Sequence, residues 1–141
     1  MLTLNELIIG NLVNYDTPEG HTMPTKIDWQ ALKWLTEDPK GFNLVHTAIP
    51  LTEDKLKEFS FENWGERLRN EYEKYDRYVL RNVINGTSNF EVHFIHSNYG
   101  GIYTKEICFS IDDNEIQRIP NTNFVHNLQN AYYLYTGHEL S

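Results

Sequence analysis

Cysteine is nearly missing: Cys108 stands alone in a chain of 141 residues, so no internal disulfide can form. A reducing compartment suits such a chain. The apolar run Ile107-Cys108-Phe109 predicts a strand that buries an inert thiol. Long apolar runs are lacking too, and none approaches the roughly 20 residues that a membrane-spanning helix needs. Met1 to Tyr15 carries neither the basic start nor the cleavage site of a secretory signal. The expected setting is therefore a reducing cytoplasm, with no membrane partner. Catalytic fingerprints are also missing. The sequence holds no Gly-x-Ser-x-Gly elbow, P-loop, dinucleotide-binding glycine run, His-Glu-x-x-His or paired cysteines. That removes the common signs of an enzyme, and the expectation is a non-enzymatic protein with no cofactor and no metal. Positive charge is short as well, with 12 Lys and Arg against 20 Asp and Glu, a net −8. Repulsion from phosphate backbones argues against direct DNA binding. The bases between Lys55 and Arg81 are interleaved with acids, so their local field largely cancels.

What the chain has is apolar and aromatic weight. Hydrophobic residues make up 40% and aromatics 13%, with nine Tyr and three Trp, which excludes a disordered composition. The length suits one domain, 1–141, able to bury roughly two thirds of its unfolded surface. Leu7 to Tyr15, rich in branched residues, predicts a first strand bent at Gly10. Asp28 caps an expected helix over Trp29 to Glu37, stopped by Pro39 and Gly41. Phe42 to Ile49 reads as irregular or extended. Thr52 caps a short helix whose first turn carries Glu53 and Asp54, placed well for the positive helix end. Trp64, Leu68, Tyr72 and Tyr75 recur at helical spacing and predict another helix.

From Tyr78 a meander is expected, with strands at Tyr78 to Ile84, Phe90 to His96, Ile102 to Ile111 and Glu115 to Ile119. Turns fall at Asn85-Gly86, Asn98 to Gly101 and Asp112 to Asn114. A last helix follows Asn121-Thr122, with Phe124, Leu128, Ala131, Tyr132 and Tyr135 as its apolar stripe and Gly137 as its stop. The predicted class is α+β: an antiparallel meander packed against a C-terminal helix, with short N-terminal helices.

Four groups of residues carry candidate chemistry. His93 and His96 resemble a metal pair, but an odd separation on a strand sends their side chains to opposite faces. A shared ion needs a bulge and ligands from elsewhere. His126, Gln129, Asn130 and Tyr133 fall on the polar side of the last helix at i, i+3, i+4 and i+7. They form either a recognition patch, with His126 available as a general base, or a set of pins holding the helix to loop backbone. Glu19 and His21 sit in a loop, an isolated pair. Trp64, with Trp29 and Trp34, supplies rings suited to anchoring a partner or packing a core.

Two segments carry a family resemblance. Ala48-Ile49-Pro50-Leu51-Thr52-Glu53-Asp54 is followed by Leu56 and Phe59-Ser60-Phe61. Near the end, Val125, His126, Leu128, Gln129, Asn130, Tyr132, Thr136, Gly137, Glu139 and Leu140 recur in order. These segments, with the opening Ile8-Ile9-Gly10-Asn11, are similar to a family of small proteins from phages and prophages of Bacteroidetes bacteria. Ser60 stands where that family usually carries glycine, and Tyr135 where it usually carries leucine. The resemblance brings no catalytic residue. It implies a small accessory protein made in a bacterial cytoplasm from mobile DNA. By analogy such a protein binds a host or phage protein, a ribonucleoprotein among the candidates, and inhibits a CRISPR effector or another anti-phage defence complex. The expected binding residues are His126, Gln129, Asn130, Tyr133 and Trp64. The alternatives are a virion structural or assembly protein, or a small enzyme using His126 or His21.

Overall fold

The computed structural model describes residues 1–83, 88–97, 100–111, 114–120 and 122–140, with backbone alone for 100–103, 109–111, 115 and 116. Backbone contacts divide the chain into two compact units. The first is Met1–Pro50 with Phe124–Asn130, and the second is Leu51–Asn123 with Ala131–Ser141.

In the first unit, β1 (Leu12–Asp16) pairs with β2 (Thr22–Lys26) and with β3 (His46–Ala48), all antiparallel, in the order β2-β1-β3. The expected first strand is shorter than its apolar run. Gly10 turns with φ 94°, its N–H donates to the Ile27 carbonyl at 2.8 Å, and pairing begins only at Leu12. Pro24 lies in β2, an edge strand, where the missing N–H is tolerated. Helix α1 (Trp29–Glu37) starts where Asp28 accepts from the Ala31 N–H at 2.8 Å. Phe42 to Ile49 is not irregular at its start. Asp38 caps a second helix, α2 (Pro39–Val45), through the Gly41 N–H, and Pro39 opens it. The proline that stops α1 after Glu37 also starts α2, since the first turn has no use for its missing donor. Leu2, Leu7, Val13, Ile27, Leu35 and Phe42 form the core of this unit.

The second unit holds a five-stranded antiparallel meander in the order β4-β5-β6-β7-β8. Its strands are β4 (Glu62–Leu68), β5 (Glu73–Leu80), β6 (Ser88–Ser97), β7 (Gly100–Ile111) and β8 (Asn114–Ile119). Helix α3 (Glu53–Glu58) precedes it, with Thr52 accepting from the Lys55 N–H at its start. The helix expected from Trp64 to Tyr75 is absent; those residues form the β4–β5 hairpin. The Asn70 side chain accepts from the N–H groups of Tyr72 and Glu73 at 2.8 and 2.9 Å and closes that turn. Gly65, at φ 87°, sits in a bulge between Asn63 and Glu66 and breaks the alternation a strand would otherwise show. Leu68 and Tyr72, part of the supposed helical stripe, are 77% and 64% exposed.

Of the expected turns, Asn85-Gly86, Asn98-Tyr99 and Asp112-Asp113 lie outside the described residues, as does the Asn121 cap, while Gly100 and Gly101 already belong to β7 and Asn114 to β8. Helix α4 (Val125–Thr136) is present, and Gly137 ends it with φ 74°, its N–H bonded to the Tyr133 carbonyl at 2.8 Å. Thr122 is not its cap: it stands three residues before Val125, and its hydroxyl donates to the Ile119 carbonyl. The class is α+β. Within the second unit, Tyr132 and Tyr135 of α4 meet Phe90 of β6 at ring distances of 5.3 and 6.4 Å, so the end of the helix packs on the meander. No helix among the described residues is long and apolar enough to cross a membrane.

Candidate functional site

The polar side of α4 turns inward at its first half. Gln129 accepts from the Leu12 N–H at 2.8 Å, which serves the first residue of β1. Asn130 accepts from the Asn11 side chain and donates to the Glu6 carbonyl, both at 2.8 Å. These two side chains pin the helix to backbone within the first unit. His126 is 1% exposed, stacks on Phe124, and has neither ring nitrogen hydrogen-bonded; its Nε2 lies 4.0 Å from the Glu6 carboxylate. Burial lowers its pKa, and the nearby Glu6 charge only partly opposes that. A neutral imidazole is therefore packed here as a ring. Tyr133 differs from the other three, being 50% exposed.

Open surface in the first unit lies elsewhere. A groove of about 880 Å³ is lined by Met1, Leu2, Leu44, Ala48 and Phe124, with Glu6, Lys40, Asn43 and His46 supplying polar points. Leu44 is 81% exposed and Phe124 39%, although both are large apolar side chains. Helix α2 presents Leu44, while Phe42 from the same helix points into the core. His46 forms part of the wall, held by its Nδ1–H on the Phe42 carbonyl at 2.9 Å and stacked on the Phe42 ring at 3.9 Å. A mostly apolar concavity with a few polar groups suits a protruding apolar side chain from a partner.

The second unit contains a buried polar chain that neither spacing nor motif revealed. Cys108 on β7 has its sulfur 3.6 Å from His93 Nδ1, and His93 Nε2 lies 3.1 Å from Glu91 Oε1. Glu91 in turn receives Nε and Nη2 of Arg77, the latter at 3.0 Å. Tyr75 stacks on His93 at 4.4 Å, and the Arg77 guanidinium lies 4.8 Å from the Trp64 ring centroid. Thiol, imidazole and carboxylate are in the order that nucleophilic catalysis uses. Cys108 is only 2% exposed and His93 6%, so this arrangement ties β5, β6 and β7 together and keeps the sulfur from solvent. Burial alone would raise the Glu91 pKa, yet hydrogen bonds from His93 and Arg77, with their charges, bring it down to about 2. Trp64 is half-buried under Arg77 and Arg81, a cation–π arrangement. Register alone hints at the network: Cys108 pairs with Glu91, and His93 with Arg77, across neighbouring strands. That register cannot be read from a single sequence.

His93 and His96 do not share a site. His96 lies on the other face of β6, near Glu66 and Asp76. Glu19 and His21 are exposed in the β1–β2 hairpin, where the His21 backbone bonds Thr17. Trp29 and Trp34 are 62% and 40% exposed. Comparison with known proteins adds nothing to this geometry, since no protein family, no curated protein and no solved structure matches the chain.

Proposed function

We propose that this is a phage or prophage accessory protein that acts by binding a host protein complex, with inhibition of a CRISPR effector or another defence assembly as the outcome. The observation that carries the reading is the apolar groove of the first unit, with Leu44 left 81% exposed on its rim. Exposing a large aliphatic side chain beside a concave apolar surface forgoes burial worth about 2 kcal/mol per side chain, which a partner would recover. The net charge of −8 favours a basic partner surface and steers association with it. The sequence resemblance supports the setting. Affinity capture from a host lysate, with and without guide RNA, tests the proposal: a stoichiometric protein partner is expected. Mass spectrometry of purified virions gives the opposing result if the chain is a stoichiometric particle component instead.

A further inference from the structure

Three neighbouring strands of the second unit each point one metal-ligating side chain at the same place. Glu66 of β4, Asp76 of β5 and His96 of β6 have ligand atoms that all lie within 4.8 Å of one another. His96 Nε2 is 3.6 Å from Asp76 Oδ2 and 3.8 Å from Glu66 Oε2. Ligands around a tetrahedral zinc ion, each at about 2.0–2.1 Å, stand about 3.3 Å apart, so small side-chain movements close the set. We propose that Glu66, Asp76 and His96 bind a divalent transition-metal ion of the zinc type.

The backbone is bent to make this cluster. Glu66 sits directly opposite Asp76 just after the Gly65 bulge, and the β6–β7 register slips on both sides of His96. The Gly65 bulge re-aims β4 in this way, while Asp76 and His96 reach the same face through the unbroken β5–β6 register. His96 Nε2 is shut off from solvent and has no hydrogen-bond partner, an unusual state for a polar atom beside two carboxylates. A metal ion satisfies that lone pair. Among the described residues, no Lys or Arg lies within ion-pair distance of Asp76. The one nearby cation is Lys74, whose ammonium is 3.2 Å from Glu66 Oε2. Two carboxylates stand here against the single ammonium of Lys74, so the cluster suits a cation. Lys74 stands where the ion would neutralise Glu66, and binding must displace it. Exposure rises from His96, at 13% of its side chain, through Asp76 at 32% to Glu66 at 49%, which leaves the outer coordination positions to water. One imidazole and two carboxylates suit zinc or a neighbouring divalent metal better than calcium, which prefers oxygen alone.

The test is calorimetric titration of zinc chloride into the chelator-treated full chain, with cobalt absorption as a second readout. One ion per chain is expected, with a cobalt spectrum of low coordination number. His96→Gln, Asp76→Asn and Glu66→Gln should each weaken binding by about tenfold or more, because each removes a direct ligand. Lys74→Met removes the competitor and should tighten binding several-fold. No binding at about 1 mM zinc, a level far above that at which protein zinc sites fill, overturns the proposal. Binding that all three ligand variants leave intact places the ion elsewhere and overturns it as well. If a ligand variant fails to fold by circular dichroism, Lys74→Met decides, and an unchanged affinity there counts against the site.

Discussion

Arg77 and Glu91 form a two-point ion pair between β5 and β6 with both residues almost closed to solvent, at 8% and 4% exposure. Their interaction does not make the sheet stable by itself, because desolvating two charges offsets most of the attraction. Removing one partner is the severe case. Arg77→Met should destabilise the protein by about 3–5 kcal/mol, since Glu91 then stays buried without its main counter-charge. Adding Glu91→Leu to that variant should recover much of the loss. Urea denaturation of the single and double variants checks both.

The same carboxylate sets an acid limit. Glu91 titrates near 4.5 when unfolded and at about 2 when folded, so the folded state holds its proton more weakly. Its contribution is complete above about pH 4.5 and is lost as pH falls from there toward about 2. Melting temperature should fall steeply across that window. Glu91→Gln should start lower at neutral pH and show a shallower decline.

Ser60 holds a left-handed backbone, φ 69°, at the end of α3. Its N–H bonds the Lys57 carbonyl at 2.9 Å, and the Phe61 N–H bonds the Leu56 carbonyl at 3.0 Å. This pair of bonds closes helices that normally use glycine at the position Ser60 occupies. Ser60→Gly should therefore raise stability by about 1 kcal/mol, the strain of a side chain in that region less the extra entropy of a glycine. A stability unchanged or lowered in thermal melts would count against the strain.

Caps and stops were the legible part of the sequence. Asp28, Thr52 and Gly137 bound their helices where their side-chain chemistry predicts, because capping is a local bond. The later strands of the meander, β6 to β8, were legible, whereas β4 and β5 begin upstream of the Tyr78 where it was expected to start. Trp64 to Tyr75 misled because Gly65 adds a residue to β4 and Asn70 turns the chain, which spaces apolar residues of two strands and their turn at a helical interval. Pro39 marks the end of α1 as expected, but the same proline starts α2, which the reading of Phe42 to Ile49 as irregular missed. The polar chain from Cys108 to Arg77 was hidden for another reason. It depends on strand register, a long-range property that residues 77, 91, 93 and 108 do not announce individually.

Gln129 shows how a polar helix face is consumed. Its carbonyl oxygen is the acceptor for the Leu12 N–H, where β1 begins. Gln129→Ala leaves that donor unpaired and should cost about 1–3 kcal/mol. Gln129→Glu retains an acceptor and should cost less. Hydrogen exchange at Leu12 gives the local readout, with faster exchange in the alanine variant.

The central claim is that the groove walled by Leu44 and Phe124 takes a partner. Leu44 is mostly exposed and outside the core, so Leu44→Asp should leave the melting temperature within a few degrees of wild type. The direct measurement is affinity capture of partner protein from host lysate by the wild-type and Leu44→Asp chains in parallel. A stoichiometric partner on the wild-type chain, reduced about tenfold or more by Leu44→Asp, is the expected result, since a charge in an apolar contact costs more than 1.4 kcal/mol. Equal recovery on both chains, or no stoichiometric partner on either, would contradict it.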